Sequence, residues 1–144
     1  MNSIELIRSA EIAHALSHEY RQYLTGHLQR EQPHLQHIDD DIEIGISFYR
    51  EFTADKPHMH PIATEHSYIL QGCLRLRLLD GSNMEYEFHK GDLFVLRPSV
   101  GYATKCAPDT KILFIKSPAG NDKTLIEPDR KTEEWLKSWD VLKR

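Results

Sequence analysis

The amino-acid sequence predicts an all-β protein, folded as an antiparallel sandwich or barrel, with one helix added at each end. Three observations lead to this fold class. Short apolar or alternating segments recur between residues 42 and 117, turn signals separate them about every eight to twelve residues, and the period becomes helical near both ends. The 144 residues suffice for one domain with its own core. We predict a single domain with a helical N-terminal extension over 1–40, a barrel core over 43–117 and a C-terminal helix over 130–142.

The N-terminal helix is expected to begin at Ser9, a residue type that caps helices. Its apolar face is formed by residues spaced about three or four apart: Ile12, Ala13, Leu16, Tyr20, Tyr23 and Leu24. Pro33 sets the outer limit, because proline cannot continue a helix. At the other end, Thr132 is expected to cap a short helix whose apolar residues share one face: Trp135, Leu136, Trp139 and Leu142.

Six segments have the apolar or alternating pattern of strands: IEIGISFYREF, SYIL, CLRLRLL, MEYEF, DLFVLR and KILFIKS. The clearest is CLRLRLL, in which the leucines at 74, 76 and 78 alternate with Arg75 and Arg77. Successive side chains of a strand point to opposite faces. We therefore expect the leucines in the core and the arginines in water or at an interface.

Composition and charge exclude several classes of partner. The net charge of -4 offers no basic face to neutralise phosphates, so nucleic acid is not expected as a partner. No apolar run approaches the length of a membrane span, and the N-terminal residues lack the pattern of a signal peptide. Cys73 and Cys106 lie in strand-like segments and are expected to be reduced thiols. We therefore expect a cytoplasmic protein that binds neither nucleic acid nor membranes.

The segment HMHPIATE carries the candidate chemistry. His58 and His60 project to the same side of a strand, whereas Glu65 has the opposite parity. Pro61 prevents an unbroken strand, so a loop can reset the register and bring Glu65 to the histidines. Two imidazoles and one carboxylate would then converge. This set suits a divalent transition metal (Fe, Mn, Ni or Zn) and leaves coordination positions open.

Two motifs in order resemble those of the cupin superfamily. The first is the histidine pair, followed by Glu65 and, after six intervening residues, by Gly72. The second is GDLFVLRPSVGYATKC, which begins at Gly91. The resemblance covers roughly residues 43–117, about half of the chain. It implies a double-stranded β-helix, which is a small jelly-roll barrel, with a site at its mouth.

The sequence departs from the second cupin motif at the position of the third metal-binding histidine, which is occupied by Tyr102. A neutral phenol is a poor metal ligand near pH 7. The metal hypothesis therefore rests on His58, His60 and Glu65. Tyr102 is predicted to act as an acid or base together with His58 and His60, or to contact the substrate. Thr104 shares its strand face and is a second candidate substrate contact.

A basic residue near the barrel mouth could hold an anionic group of the substrate. Arg50 is the first candidate, because it faces the barrel interior if Phe48 and Phe52 do. Lys56 and Arg97 are alternatives.

Three classes of function remain open. The first is a metal-dependent enzyme acting on a small molecule, of the oxygenase or isomerase type. The second is a metal-free sugar-nucleotide isomerase or epimerase that uses His58 and His60 as acid and base, as the resemblance to small cupins of that activity implies. The third is a non-enzymatic module that binds a small ligand. Glu65 favours the first class, because a carboxylate at this position completes a metal site.

We also expect a homodimer, because pairing through barrel edges hides strands that would otherwise aggregate. The alternating face of residues 74–78 and the two tryptophans near the C-terminus are candidate contact surfaces. The remaining histidines are expected on polar surfaces, with His14 and His18 on the N-terminal helix and His89 facing solvent.

Overall fold

The structure is a computed structural model that describes residues 3–140. Its helices are α1 (Ser9–His18) and α2 (Arg130–Leu136). Its strands are β1 (Arg21–Gly26), β2 (His37–Ile38), β3 (Glu43–Tyr49), β4 (Thr53–Ala54), β5 (His58–Met59), β6 (Thr64–Gln71), β7 (Cys73–Leu78), β8 (Glu85–His89), β9 (Leu93–Leu96), β10 (Tyr102–Cys106), β11 (Thr110–Ser117) and β12 (Thr124–Leu125). The predicted all-β fold with a small helix at each end is confirmed.

Two sheets form the double-stranded β-helix. The first has the strand order β2-β1-β3-β11-β6-β9, and the second has the order β12-β5-β10-β7-β8, with β4 also paired to β10. The pairs are antiparallel except for the short parallel pair of β1 and β2. Most neighbours in the sheets, such as β3 and β11, are far apart in the sequence, which is typical of a jelly roll.

Strand alternation decides which residues line the interior. The leucines of β7 point inward as expected, and Leu74 and Leu76 are buried. They join a core cluster that also contains Tyr49, Ile69, Leu96, Tyr102, Cys106 and Ile112. The cluster packs between the two sheets and supports the polar residues described below.

The N-terminal helix is shorter than predicted. It ends at His18, and the expected continuation through Tyr23 and Leu24 is wrong because these residues belong to β1, which pairs with β3. The buried Gln22 side chain donates to the carbonyl oxygens of Ala15 and Glu19, which satisfies the end of the helix where the chain turns into the strand. Ser9 is the first helical residue rather than the cap.

The C-terminal helix lies against the outer face of the second sheet. Its N-cap is Asp129, whose carboxylate accepts from the Thr132 amide at 2.7 Å, so the prediction that Thr132 is the cap is wrong. Trp135 is fully buried, and its carbonyl accepts from the Lys105 ammonium at 2.8 Å. Arg77 points outward, and its Nε donates a hydrogen bond to Oγ1 of Thr132 at 3.3 Å. The outer face of β7 is therefore covered by α2. The helix ends at Leu136, so the predicted extent over 130–142 is wrong for residues 137–140, and residues 141 and 142 lie outside the described residues.

No helix within residues 3–140 is both long and apolar enough to cross a membrane.

Gly45 of β3 leaves the space that the Phe114 ring occupies inside the barrel. It lies opposite Phe114, and a Cβ added to it would lie 2.1 Å from Cζ of that ring. We expect Gly45→Ala to lower the free energy of unfolding by about 1–3 kcal/mol, because the ring must be displaced in a packed interior. Urea denaturation measures the change.

A double-mutant cycle provides the control for this packing. Phe114→Leu removes the ring that meets the new methyl group, so Gly45→Ala should cost less in that background than in the wild type. An equal cost in both backgrounds would show that Phe114 is not what limits this position.

Candidate functional site

The hydroxyl of Tyr102 lies at the centre of the candidate site. It is 2.8 Å from Nε2 of His58 and donates to Oε2 of Glu65 at 2.8 Å. Tyr102 and His58 are direct partners in the pair of β10 and β5, whereas Glu65 comes from β6 in the other sheet. The register reset predicted after Pro61 is confirmed, because Glu65 and Ser67 line the barrel cavity. Residues from both sheets therefore meet at one phenol.

His58 is held as a neutral imidazole of known tautomer. Its Nδ1 lies 2.7 Å from the carbonyl oxygen of Lys56, which can only accept, so Nδ1 carries the proton and Nε2 carries the lone pair. Burial lowers the pKa of His58, which keeps the ring neutral near pH 7. Burial, and then the Glu65 carboxylate, raise the pKa of Tyr102 well above its usual value, so the phenol keeps its proton.

His60 is oriented by a residue that the sequence analysis missed, Asp122. Its Oδ1 lies 2.8 Å from Nδ1 of His60, and its Oδ2 accepts from the amides of Ile62 and Ala63 at 2.9 and 2.8 Å. Burial alone would raise the pKa of Asp122, but these hydrogen bonds hold it below its usual value. Asp122 is 62 residues from His60 in the chain, so no local pattern connects the two.

His58, His60 and Glu65 all line the cavity, and their binding of a metal stays a prediction. The ligand atoms of His58, His60 and Glu65 do not all lie within 4.8 Å of one another, and the Tyr102 hydroxyl contacts both His58 and Glu65. Among residues 3–140, one group of three potential ligands meets that distance, and it lies outside the barrel on β7 and β8.

The cavity has a volume of about 260 Å³ and is lined by residues of both sheets. Thr104 lines it, on the same face of β10 as Tyr102, in agreement with its predicted position. Arg50 is not among the residues that line the cavity, and the expectation that it faces the interior is wrong. The buried residues of β3 have odd numbers, whereas Arg50 is exposed and donates to the Leu16 carbonyl at 3.0 Å.

Arg21 supplies the cation that was expected from Arg50. Its Nε donates to Ser47 Oγ at 3.2 Å and its Nη2 to Tyr49 Oη at 2.7 Å, and both partners are neutral. The other two cations of the lining are already paired with carboxylates: Lys116 with Glu43 at 2.7 Å, and Lys123 with Asp55 at 3.3 Å. Arg21 is therefore the cation best placed to receive an anionic group.

Arg21 was missed because its segment was predicted to be helical. The available signal was RQYLTG, in which strand-forming residues end at a glycine. That glycine, Gly26, has a φ of +144°, a backbone conformation that other residues rarely adopt.

The cupin family profile matches residues 45–127, which is more than half of the chain, and the chain therefore belongs to the cupin family. A search of curated proteins gives no significant match. Among solved structures, KdgF from Halomonas sp. is 20% identical with a TM-score of 0.52, over 58% of this chain and 74% of KdgF.

Two enzymes also share the fold. Pac13, a nucleoside dehydratase, is 12% identical with a TM-score of 0.54, over 66% of this chain and 76% of its own. The Streptomyces PAC13 has also been solved with uridine. Oxalate decarboxylase from Bacillus subtilis, which has Mn(II) centres, is 14% identical with a TM-score of 0.50, over 57% of this chain and 22% of its own. At these identities the similarity establishes the fold alone.

Asp122 provides the test of how the site is held together. We expect Asp122→Ala to lower the free energy of unfolding by about 1–3 kcal/mol at pH 7, because two amides and one imidazole lose their acceptor. Since the folded pKa of Asp122 lies below its ordinary value of 3.8, its contribution is present above that pH and is lost as the pH falls through the folded value. The difference in the free energy of unfolding between wild type and variant should therefore be smaller at pH 3 than at pH 7, as measured by urea denaturation.

The matched control is Glu127→Ala, which removes an exposed carboxylate from the same segment. It should leave the stability within about 0.5 kcal/mol of the wild type. Equal effects of the two substitutions at pH 7 would contradict the role given to Asp122.

Proposed function

We propose that this cupin is an enzyme that moves protons on a small polar molecule, with a chain of His58, Tyr102 and Glu65 as the acid/base group and no metal in the step. The reaction type that fits is the isomerisation or epimerisation of a keto sugar or a related compound. The observation that supports this most directly is the pair of 2.8 Å contacts made by one hydroxyl group.

The number of protons in this chain makes it suitable for proton transfer. Two contacts of hydrogen-bond length need two protons, and the Tyr102 hydroxyl brings one. Nε2 of neutral His58 has none to offer, because the Lys56 carbonyl fixes the proton on Nδ1. A second proton, once taken from a substrate, would reside either on the Glu65 carboxyl or on Nε2 of His58. The chain therefore has two balanced forms that differ by the transfer of a proton through the phenol.

This chain could take a proton from a substrate at one point and return it at another. A proton removed from a carbon next to a carbonyl group passes to Nε2 of His58 or to Glu65 and is carried through Tyr102. His60 stands beside His58 with ring centroids 5.2 Å apart, and Asp122 holds its Nδ1. Its Nε2 is the nitrogen left for a bound molecule, so His60 can accept a hydrogen bond from a substrate hydroxyl.

The lining of the cavity indicates the class of substrate. A volume of about 260 Å³ suits a single sugar ring or a compound of similar size. Arg21, with neutral partners, would hold a phosphate or carboxylate group. The structural similarity to a nucleoside dehydratase and to its uridine complex supports a polar ring compound.

Solvent deuterium exchange tests the proposed activity. Nucleoside-diphosphate-linked keto sugars and hexose phosphates would be incubated with the protein in D₂O and followed by NMR. We expect wild-type protein to incorporate deuterium at a carbon next to the carbonyl group, and Tyr102→Phe to slow this exchange by about 10²- to 10⁴-fold.

Arg21→Met should raise KM for anionic substrates by about 10- to 100-fold, because it removes a charged hydrogen bond.

Tyr68→Phe is the matched control, since it removes an exposed phenol hydroxyl outside the barrel. The Tyr68→Phe variant should catalyse deuterium exchange at the wild-type rate. Undiminished exchange in Tyr102→Phe would rule out the proton chain. Binding without exchange in the wild type would place the protein among the ligand-binding cupins instead.

A metal-dependent enzyme is the second candidate, and one observation favours it. Both His58 and His60 have Nδ1 held by an oxygen acceptor, which leaves Nε2 for another partner. This orientation is typical of histidines that bind metals. Fe, Mn, Ni or Zn held by His58, His60 and Glu65 would be retained by purified wild-type protein and lost from the His58→Ala/His60→Ala variant.

We also propose that the protein is a homodimer that pairs through β9, the edge strand of the first sheet. Its outward side chains Leu93 and Val95 are exposed and lie beside the exposed Tyr68 and Leu70 of β6. A twofold axis can pair two such edges and cover both apolar faces. Sedimentation equilibrium should give a dimer at micromolar concentration, converted to a monomer by Leu93→Lys but not by Met84→Lys, which changes an exposed residue elsewhere. A wild-type monomer would contradict the proposal.

A further inference from the structure

The outer face of the β7–β8 hairpin carries a cluster of metal-binding side chains. Cys73 lies directly opposite His89, and Arg75 lies directly opposite Glu87. Since side chains alternate along a strand, these four project from the same face, away from the core leucines. The cluster lies outside the cavity, because none of its members is among the lining residues.

We propose that Cys73, Glu87 and His89 form a surface site for Zn²⁺, separate from the barrel cavity. Their ligand atoms all lie within 4.8 Å of one another, and Nε2 of His89 is 3.0 Å from Oε2 of Glu87. A thiolate, an imidazole and a carboxylate are the three ligand types that zinc uses in proteins. The fourth position is open to water.

Little movement is needed to reach coordination geometry. Bonds of about 2.0–2.3 Å in a tetrahedral zinc site place ligand atoms about 3.3–3.7 Å apart. The His89–Glu87 pair is already slightly closer than this, and side-chain rotation can bring in the thiol. The backbone is fixed by the ladder of β7 and β8, whose partners run from Cys73–His89 to Arg77–Glu85. The hairpin therefore presents a preformed arrangement.

Arg75 orients the carboxylate of the site. Its Nε donates to Oε1 of Glu87 at 2.7 Å, which leaves Oε2 facing His89. Arg75 is itself fixed, because Nη1 donates to the Trp139 carbonyl at 2.7 Å and the guanidinium lies 4.0 Å from the Trp139 ring centroid. A ligating carboxylate held by an outer hydrogen bond is the usual arrangement at protein metal sites.

Proton release accompanies binding at this site. A cysteine thiol is ordinarily protonated near neutral pH in the absence of metal. Zn²⁺ forms a bond to sulfur as the S–H bond breaks, and the proton goes to solvent. Affinity therefore rises with pH as the proton is more easily released.

Cobalt substitution tests the site, because Co²⁺ bound to a thiolate gives a charge-transfer band in the near ultraviolet. Tag-free full-length protein, freed of metal with EDTA, would be titrated with Co²⁺ and then with Zn²⁺ as competitor. We expect one equivalent of Co²⁺ to produce the band and Zn²⁺ to remove it. Cys73→Ser should abolish the band, and His89→Ala should weaken binding by at least about 10-fold, the loss typical of disturbed metal sites.

Two controls separate this site from other histidines. His58→Ala/His60→Ala removes the barrel histidines, and His18→Ala removes one of the two neighbouring histidines on α1. Both variants should give the same Co²⁺–thiolate band as the wild type, with folding checked by circular dichroism. Absence of the band in the wild type, its persistence in Cys73→Ser, or its loss in the barrel variant would each overturn the proposal.

Discussion

The carboxylate of Asp122 holds the part of the barrel on which the site depends. Its two oxygens accept from the imidazole of His60 and from the amides of Ile62 and Ala63. These bonds fix the turn that follows Pro61, and that turn sets the register in which β6 begins at Thr64. A shift of one residue would exchange the two faces of β6 and move Glu65 out of the barrel. One acceptor thus orients a histidine and fixes the register that turns Glu65 into the barrel.

A phenol at the centre of the site changes what the fold can do. An imidazole at position 102 would offer a nitrogen to a metal, whereas Tyr102 offers a hydroxyl group with one proton and two acceptor positions. Burial keeps that hydroxyl protonated, and the two sheets hold a base on each side of it. The arrangement therefore joins His58 and Glu65 through the oxygen of Tyr102, which is the basis of the proposed proton transfer.

The outer face of the second sheet is organised by charged side chains that the C-terminal segment covers. Lys105 is buried beneath Trp135, and Arg75 stacks on Trp139. Arg75 also reaches Glu87, so the docking of this segment and the position of the hairpin carboxylate share one guanidinium. Potential metal ligands therefore occur both in the barrel and on its surface, and bound metal must be assigned to one of them before it is used as evidence for chemistry.

The sequence by itself determined the features that depend on local patterns. Alternation in CLRLRLL predicted an inward leucine face, and Pro61 predicted the break that lets Glu65 face His58, since both effects act over a few residues. It did not determine where α1 ends, because an apolar spacing of three to four residues continues into residues that pair with β3 about 26 positions later. That pairing decides that Arg21 rather than Arg50 faces the cavity, and a contact spanning 62 residues decides that Asp122 holds His60. Both are non-local contacts in a barrel whose neighbouring strands are distant in sequence, and they are formed only when the chain folds.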